Sequence, residues 1–222
     1  MSNKQHKVIV VGLPKTGTST LAVMLRILNY KVTGPDIHYQ FQDTSYLEKQ
    51  FSEYDAFQDY PWCFEWERYI NNPEVKCIIL HRDFESWWKS FYDSYGNKND
   101  RYLSFSYMKL SKTEANKALF LDYFNRYYNT AHKFTETYPK RALSTTIKTL
   151  EWTELCDFLD EKLPKNILGR LVKKPHVNKQ NSKTRKTIKF KILNMIKYVL
   201  LKILSQKTYL KLGVFLRKNI SY

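Results

Sequence analysis

The sequence predicts an α/β fold, a central parallel sheet of about four to five strands flanked by helices and followed by a basic helical tail. Three observations predict it. Val8-Ile9-Val10-Val11 is a run of β-branched residues that reads as a buried strand, and it passes through residues 12–20 into the apolar-periodic stretch 21–28. Lys76-Cys77-Ile78-Ile79-Leu80 is a second such run and also leads into a helix-forming stretch. Shorter strand-like and helix-like segments alternate between and after these two, the pattern of strands laid parallel through helical crossovers.

The elements follow in order. Residues 7–30 form the first strand–loop–helix unit. Tyr30-Lys31-Val32 reads as a short second strand, stopped at Gly34-Pro35 because proline has no N–H for a ladder. Asp36-Ile37-His38-Tyr39-Gln40 follows as a loop. Residues 44–52 read as a helix with Asp43 or Thr44 as N-cap. Tyr54-Asp55-Ala56-Phe57-Gln58 reads as a third, short strand that ends at Asp59-Tyr60-Pro61, and 62–71 as an aromatic-rich helix. After the turn Asn71-Asn72-Pro73, the strand 76–80 enters His81-Arg82-Asp83 and a helix over 84–95. A polar loop at 96–100, a long Phe- and Tyr-rich helix at 114–138, a last strand at 142–147 and a short helix at 151–159 complete the domain.

At 222 residues with 43% apolar content, the chain is long enough for one α/β domain with a substantial core. Its three cysteines, Cys63, Cys77 and Cys156, are odd in number and widely spaced, which gives neither a disulfide framework nor a zinc spacing, and Cys77 reads as core. The polar start leads directly into the first strand and leaves no room for a signal peptide, so the expected location is cytoplasmic, with an option of contact at the inner face of a membrane. The net charge of +16 is uneven: residues 160–222 hold 17 Lys and Arg against 2 Asp and Glu, whereas residues 1–159 hold 20 against 19. This sets the expected division into a domain at 1–185 and a basic amphipathic tail at 186–222. The tail's Ile, Leu, Val and Phe are interrupted by Lys189, Lys191, Lys197, Lys202, Lys207 and Lys211. No stretch of about 18 residues is free of charge, which argues against a spanning helix there and suits a helix lying on an anionic surface. A solvated basic face is the plainer alternative.

The chemistry begins at Gly12-Leu13-Pro14-Lys15-Thr16-Gly17-Thr18-Ser19-Thr20. A glycine-bearing loop between a strand and a helix aims backbone N–H groups and the helix start at an anion. The nucleotide-binding form of this loop is G-x-x-x-x-G-K-[ST]. Gly12 and Gly17 keep its spacing, but Thr18 stands where lysine belongs and Lys15 is the loop's one lysine. Ligands in open parallel sheets bind at the carboxyl ends of strands. If the two strong strands are neighbours, this loop and His81-Arg82 face one site.

The displaced lysine in Pro14-Lys15-Thr16-Gly17-Thr18-Ser19, together with Arg82 at a strand end and Ser90 eight residues on, resembles the P-loop sulfotransferases that use 3′-phosphoadenosine 5′-phosphosulfate (PAPS). Tyr54-Asp55-Ala56-Phe57-Gln58-Asp59-Tyr60-Pro61, the Arg82-Asp83-x-x-x-Trp87 stretch, Trp152-x-x-Leu155-Cys156-x-Phe158-Leu159 and Pro175-His176-Val177-Asn178 extend the likeness over about residues 7–183. The resemblance implies a three-layer fold of the P-loop NTPase type. It implies a PAPS-binding set of Pro14, Lys15, Thr16, Gly17, Thr18, Ser19 and Thr20 at the 5′-phosphosulfate, with Arg82, Ser90, Asn178 and Lys179 at the 3′-phosphate. The product would be 3′-phosphoadenosine 5′-phosphate (PAP), with no metal required.

In-line transfer of a sulfuryl group builds negative charge on the bridging oxygen of the leaving phosphate, and Lys15 is the cation expected there. The acceptor hydroxyl needs a base. His38 has an ordinary pKa suited to the task, Asp59 sits in the Asp-x-Pro turn, and Asp36 and Glu65 are rivals. Trp87, Trp88, Phe91 and Tyr92 read as core rather than as an adenine platform. The expected acceptor is a hydroxyl or amine, carbohydrate or lipid-linked, with peripheral membrane contact through 186–222 and no specific nucleic acid. The competing readings are a magnesium-dependent kinase-like phosphotransferase, which Thr18 opposes, and a non-enzymatic basic binder of membrane or nucleic acid.

Overall fold

A computed structural model describes residues 4–36, 44–93 and 113–176, with 192, 195–196, 199–200, 203–205 and 208 in the tail. Five strands form one parallel sheet: β1 (Lys7–Val11), β2 (Val32–Thr33), β3 (Ala56–Phe57), β4 (Val75–Leu80) and β5 (Ala142–Thr145), in the spatial order β2-β3-β1-β4-β5. The helices are α1 (Thr18–Ile27), α2 (Thr44–Glu53), α3 (Trp62–Glu65) continued by a 3₁₀ segment Trp66–Tyr69, α4 (Phe84–Asp93), α5 (Lys117–Thr137) entered through a 3₁₀ segment Glu114–Asn116, and α6 (Trp152–Leu159). The architecture is the α/β fold that the sequence predicts, with the strand count inside the expected range. The chain divides into two compact units, one of residues 1–87 and 122–178 and one of residues 88–121 and 179–222. The first contains the whole sheet.

The two strong strands are neighbours. β1 pairs with β4 from Lys7 opposite Val75 to Val11 opposite Ile79, and β4 pairs with β5 from Cys77 opposite Ala142 to Leu80 opposite Thr145. Side chains alternate across a strand. Val8, Val10, Ile78 and Leu80 therefore share one face, where they pack in a single cluster with Leu21, Met24 and Leu25 of α1 and Trp152, Leu155 and Leu159 of α6. Ile9 and Val11, fully buried, lie on the other face. An aromatic group forms part of the core: Phe57 stacks on Phe51 at 5.1 Å between centroids and meets Trp62 at 4.4 Å, and Trp66 meets Phe134 edge-on at 5.9 Å. Each such apolar side chain contributes about 1.5–3 kcal/mol by leaving water.

Helix ends are fixed by specific groups. After α1, Asn29 takes a left-handed φ of 63°, a conformation asparagine tolerates, and Tyr30 N–H returns to the Leu25 carbonyl at 3.0 Å. Lys7 Nζ donates to the carbonyls of Phe51 (2.6 Å) and Tyr54 (2.7 Å), so the first strand caps the end of α2. At the end of α6, Asp160 turns left-handed (φ 57°) and Glu161 N–H reaches the Cys156 carbonyl at 2.9 Å. Lys76, from the start of β4, donates to the Phe158 carbonyl (2.7 Å) and to Asp160 Oδ2 (2.6 Å), which clasps α6 to the central sheet.

The remaining differences from expectation are local. The second strand falls at 32–33 rather than 30–32, the span 62–71 is one turn of α-helix followed by 3₁₀ rather than one helix, and the third strand shrinks to two residues. The expected loop at 96–100 and most of the tail lie outside the described residues. The tail residues that are described include Ile192, Met195, Ile196, Val199 and Ile203, and all five are exposed. Among the described residues no helix is long and apolar enough to cross a membrane.

Hydrogen bonding and charge from Lys76, reinforced by His6, hold the Asp160 carboxyl below its ordinary value. A lowered folded pKa stabilises the native state above the unfolded value near 4, and the gain disappears as pH falls through the lowered value. Asp160→Asn is thus expected to lower the melting temperature at neutral pH and to match the wild type in strong acid. A gap in melting temperature that stays constant across that range would locate the effect elsewhere.

Candidate active site

Four strand ends converge at the carboxyl edge of the sheet. The 12–20 loop follows β1, Gln58-Asp59 follows β3, His81-Arg82-Asp83 follows β4 and Thr146-Ile147 follows β5. The two motifs singled out in the sequence are in direct contact here. Arg82 Nη1 donates to the Lys15 carbonyl at 2.7 Å. That bond fixes the backbone of the residue expected to act on the transferred group.

The loop is held from several sides. Trp87 Nε1, on α4, donates to the Pro14 carbonyl at 2.9 Å. Tyr128 on α5 donates to the Leu80 carbonyl at 2.9 Å, and hydrogen bonding with Leu13 and Thr16 partly offsets the burial that raises its phenol pKa. Within the loop, Thr16 Oγ1 donates to the Leu13 carbonyl at 2.7 Å. Gly12 passes so near the end of β4 that a Cβ would lie 3.1 Å from Leu80 Cβ and 2.8 Å from Thr16 Oγ1. Lys15 is left-handed at φ 80° and Gly17 at φ 112°. For a lysine this is a strained conformation, and it persists only where surrounding contacts impose it.

These constraints sort the candidate binding residues. Pro14, Thr16, Thr18 and Thr20 are buried, while Lys15, Gly17 and Ser19 are partly exposed. Gly17 is the N-cap of α1 and no side chain caps the helix start, so an anion there meets N–H groups and the positive end of the helix dipole. Ser90 is buried on α4 and belongs to the second unit. His38, Asn178 and Lys179 lie outside the described residues.

Asp59 stands beside this loop. It is left-handed (φ 59°), and its Oδ1 accepts from Tyr60 N–H at 2.8 Å. Burial raises its carboxyl pKa, opposed by the Tyr60 N–H and by the charge of Lys15. The rivals are occupied: Asp36 accepts from the Tyr46 hydroxyl, and Glu65 pairs with Arg68 at 2.6 Å. Among the described residues no group of three His, Cys, Asp or Glu side chains is gathered to hold a metal ion.

Several groups near the site were not readable from motifs. Gln58 is 3% exposed; its Nε2 donates to the Gly34 carbonyl, and its buried Oε1 has no hydrogen-bond partner among the described residues. A line of rings runs from Tyr60 to Phe64 (6.3 Å), Tyr123 (6.5 Å) and Tyr127 (6.4 Å), and the buried Tyr127 hydroxyl has no partner among the described residues. His81 stacks on His132 at 4.7 Å and meets the Ser144 hydroxyl, and burial followed by the His132 charge lowers its pKa. A polar residue ending a short strand, as Gln58 does, is the one sequence signal that marks any of these. Trp87 and Trp88 are core, as expected from sequence, and Trp87 also anchors the loop.

A family model described as "Sulfotransferase domain" matches residues 7–135, over half of the chain and including the 12–20 loop, Asp59, Arg82 and Ser90. No curated protein matches the sequence.

A Cβ on Gly17 would fall 2.5 Å from Ile147 Cγ2 in a backbone conformation that side chains rarely adopt. Gly17→Ala is expected to cost about 1–3 kcal/mol of stability by urea denaturation. An unchanged midpoint would show that Ile147 yields and that the loop tolerates the methyl group.

Proposed function

The chain belongs to the sulfotransferase domain family, and from that premise we propose that it transfers a sulfuryl group from PAPS to a hydroxyl of a neutral acceptor. The observation that carries the reading is the bond from Arg82 to the Lys15 carbonyl, because it joins the two donor-binding motifs at one sheet edge. The 5′-phosphosulfate lies against the start of α1, bound by backbone N–H groups of 17–19 and the Ser19 hydroxyl, the Thr16 N–H being taken by the Leu13 carbonyl at 3.2 Å. Arg82, Ser90, Asn178 and Lys179 are the residues that the resemblance assigns to the 3′-phosphate.

The reaction forms a bond from the acceptor oxygen to sulfur and breaks the bond from sulfur to the bridging oxygen, releasing PAP. The ammonium of Lys15 neutralises the charge that grows on that bridging oxygen. The acceptor proton passes to Asp59, whose pKa burial has moved upward toward the range useful to a general base. His38 is the alternative base. The nearby charge of Lys15 opposes that rise, so the two groups are electrostatically coupled. The rings of Tyr60, Phe64, Tyr123 and Tyr127 beside Asp59 suit the apolar face of a sugar or the chain of a lipid-linked acceptor. Neighbouring charges are paired, Arg68 with Glu65 and Arg126 with Asp122 at 2.9 Å, which favours a neutral acceptor over an acidic polymer. A cytoplasmic enzyme resting on the inner face of a membrane through 186–222 agrees with a lipid-linked acceptor.

Lys15→Ala is expected to reduce kcat by about 10²–10³ or more with a smaller loss of PAP affinity, measured by labelled sulfate transfer and by calorimetry. Near-normal turnover would remove Lys15 from the chemistry. The acidic limb of the rate profile is expected above the ordinary carboxylate range and absent in Asp59→Asn; an unchanged limb there, with loss in His38→Ala, reassigns the base. A larger thermal shift with ATP and Mg²⁺ than with PAP would favour the kinase reading.

A further inference from the structure

The segment after α6 is not the featureless basic stretch that its composition suggests. Residues 163–172 fold into a small hairpin inside the first unit. Lys165 and Leu171 form an antiparallel bridge, and Val172 N–H donates to the Pro164 carbonyl at 2.9 Å. Asn166 organises the tip: its N–H donates to the Arg170 carbonyl at 2.8 Å, and its Oδ1 accepts from the N–H groups of Leu168 (2.9 Å) and Arg170 (3.0 Å). Gly169 closes the turn at φ 72°.

This ordered tip presents its apolar residues to water. Ile167 is fully exposed, Leu168 is 71% exposed, Leu171 51% and Leu163 40%. A single exposed leucine needs no explanation. Four large apolar residues on one ten-residue hairpin, two of them adjacent at its apex, form an apolar surface of the kind that marks an interaction site. The exposed charges from 162 to 173 are all positive, Lys162, Lys165, Arg170 and Lys173, and the acidic Asp160 and Glu151 are paired at the base with Lys76 and Lys174. The sequence carries no Asp or Glu after Glu161.

An apolar apex within a basic collar matches the two layers of an anionic lipid surface, with acyl chains for the apex and headgroup phosphates for the collar. An acidic protein partner would meet the collar but would not require both apical side chains to stand clear of the fold. We infer that the 163–172 hairpin is a membrane-docking element that inserts Ile167 and Leu168 into an anionic bilayer. The inference is independent of which group the active site transfers and of whether the tail binds lipid.

The hairpin is clasped at both ends. Asp160 is tied to Lys76 at 2.6 Å, and Lys174 Nζ donates to the Lys148 carbonyl at 3.2 Å. The apex is therefore carried on fixed supports and needs no folding step on contact.

The test uses the full chain with Ile167→Cys labelled by an environment-sensitive fluorophore. Cys63, Cys77 and Cys156 are buried, so the label is directed to position 167. On phosphatidylcholine vesicles containing phosphatidylserine, the emission should shift to the blue and respond to quenchers placed in the acyl region. Vesicles of phosphatidylcholine alone should give a weaker response. In co-sedimentation, Ile167→Ser/Leu168→Ser should bind these anionic vesicles about tenfold more weakly, and removal of each collar cation should cost roughly fivefold. Both sets should leave the melting temperature unchanged, since the side chains are exposed. Absence of vesicle binding overturns the inference. So does binding in which the label stays in water, which would assign the contact to the tail. A blue shift that rises with protein concentration without vesicles overturns it as well and assigns the apex to contact between copies of the chain.

Discussion

Everything at the carboxyl edge depends on holding Lys15 in a left-handed backbone conformation. A lysine does not adopt φ 80° unaided, and the structure imposes it through bonds that converge on its neighbours. Trp87 takes the Pro14 carbonyl, Arg82 takes the Lys15 carbonyl, and the Thr16 hydroxyl takes the Leu13 carbonyl. Gly12 lets the loop approach β4 closely enough for these bonds to form. The result is a Lys15 backbone fixed by hydrogen bonds to the carbonyls of residues 13, 14 and 15.

The pairing of β1 with β4 supplies the scaffold for this arrangement. Its register brings Val11 opposite Ile79, so the loop after one strand and the basic pair after the other emerge side by side. β3 lies on the opposite side of β1 and delivers Asp59. The first unit thus gathers residues separated by tens of positions in the chain onto three adjacent strand ends, and electrostatics joins them: the charge of Lys15 opposes the rise in the Asp59 pKa that burial causes.

The parts of the fold legible in the sequence were those whose signal is local. The β-branched runs at 8–11 and 76–80 marked the central strands, and the loop between Gly12 and Gly17 marked a candidate site because glycine and lysine spacing carries its own chemistry. The short strands β2 and β3 were located but misjudged in extent, since two paired residues leave almost no periodicity to read. The 62–71 segment looked uniformly helical because its aromatic residues are buried by tertiary packing, which constrains the backbone less than helical spacing suggests. The site's supports were invisible for a stronger reason. The bond from Trp87 to Pro14 joins residues 73 positions apart, and nothing near either residue announces it. The apical exposure of Ile167 and Leu168 was hidden in the same way, because composition counts apolar residues without saying which face water.

The strap from Asp160 to Lys174 is held at two separate points of the first unit. It leaves α6 where Lys76 begins its run up the central sheet, and it is secured again beside the turn that follows β5. A flexible tether would confine a protein to a surface while leaving it free to tumble. A strap secured at both ends fixes the rotational setting of the sheet relative to whatever holds its apex. Docking would then select one presentation of the Lys15 edge, and encounters with a partner confined to the same surface would become a two-dimensional search at high effective concentration.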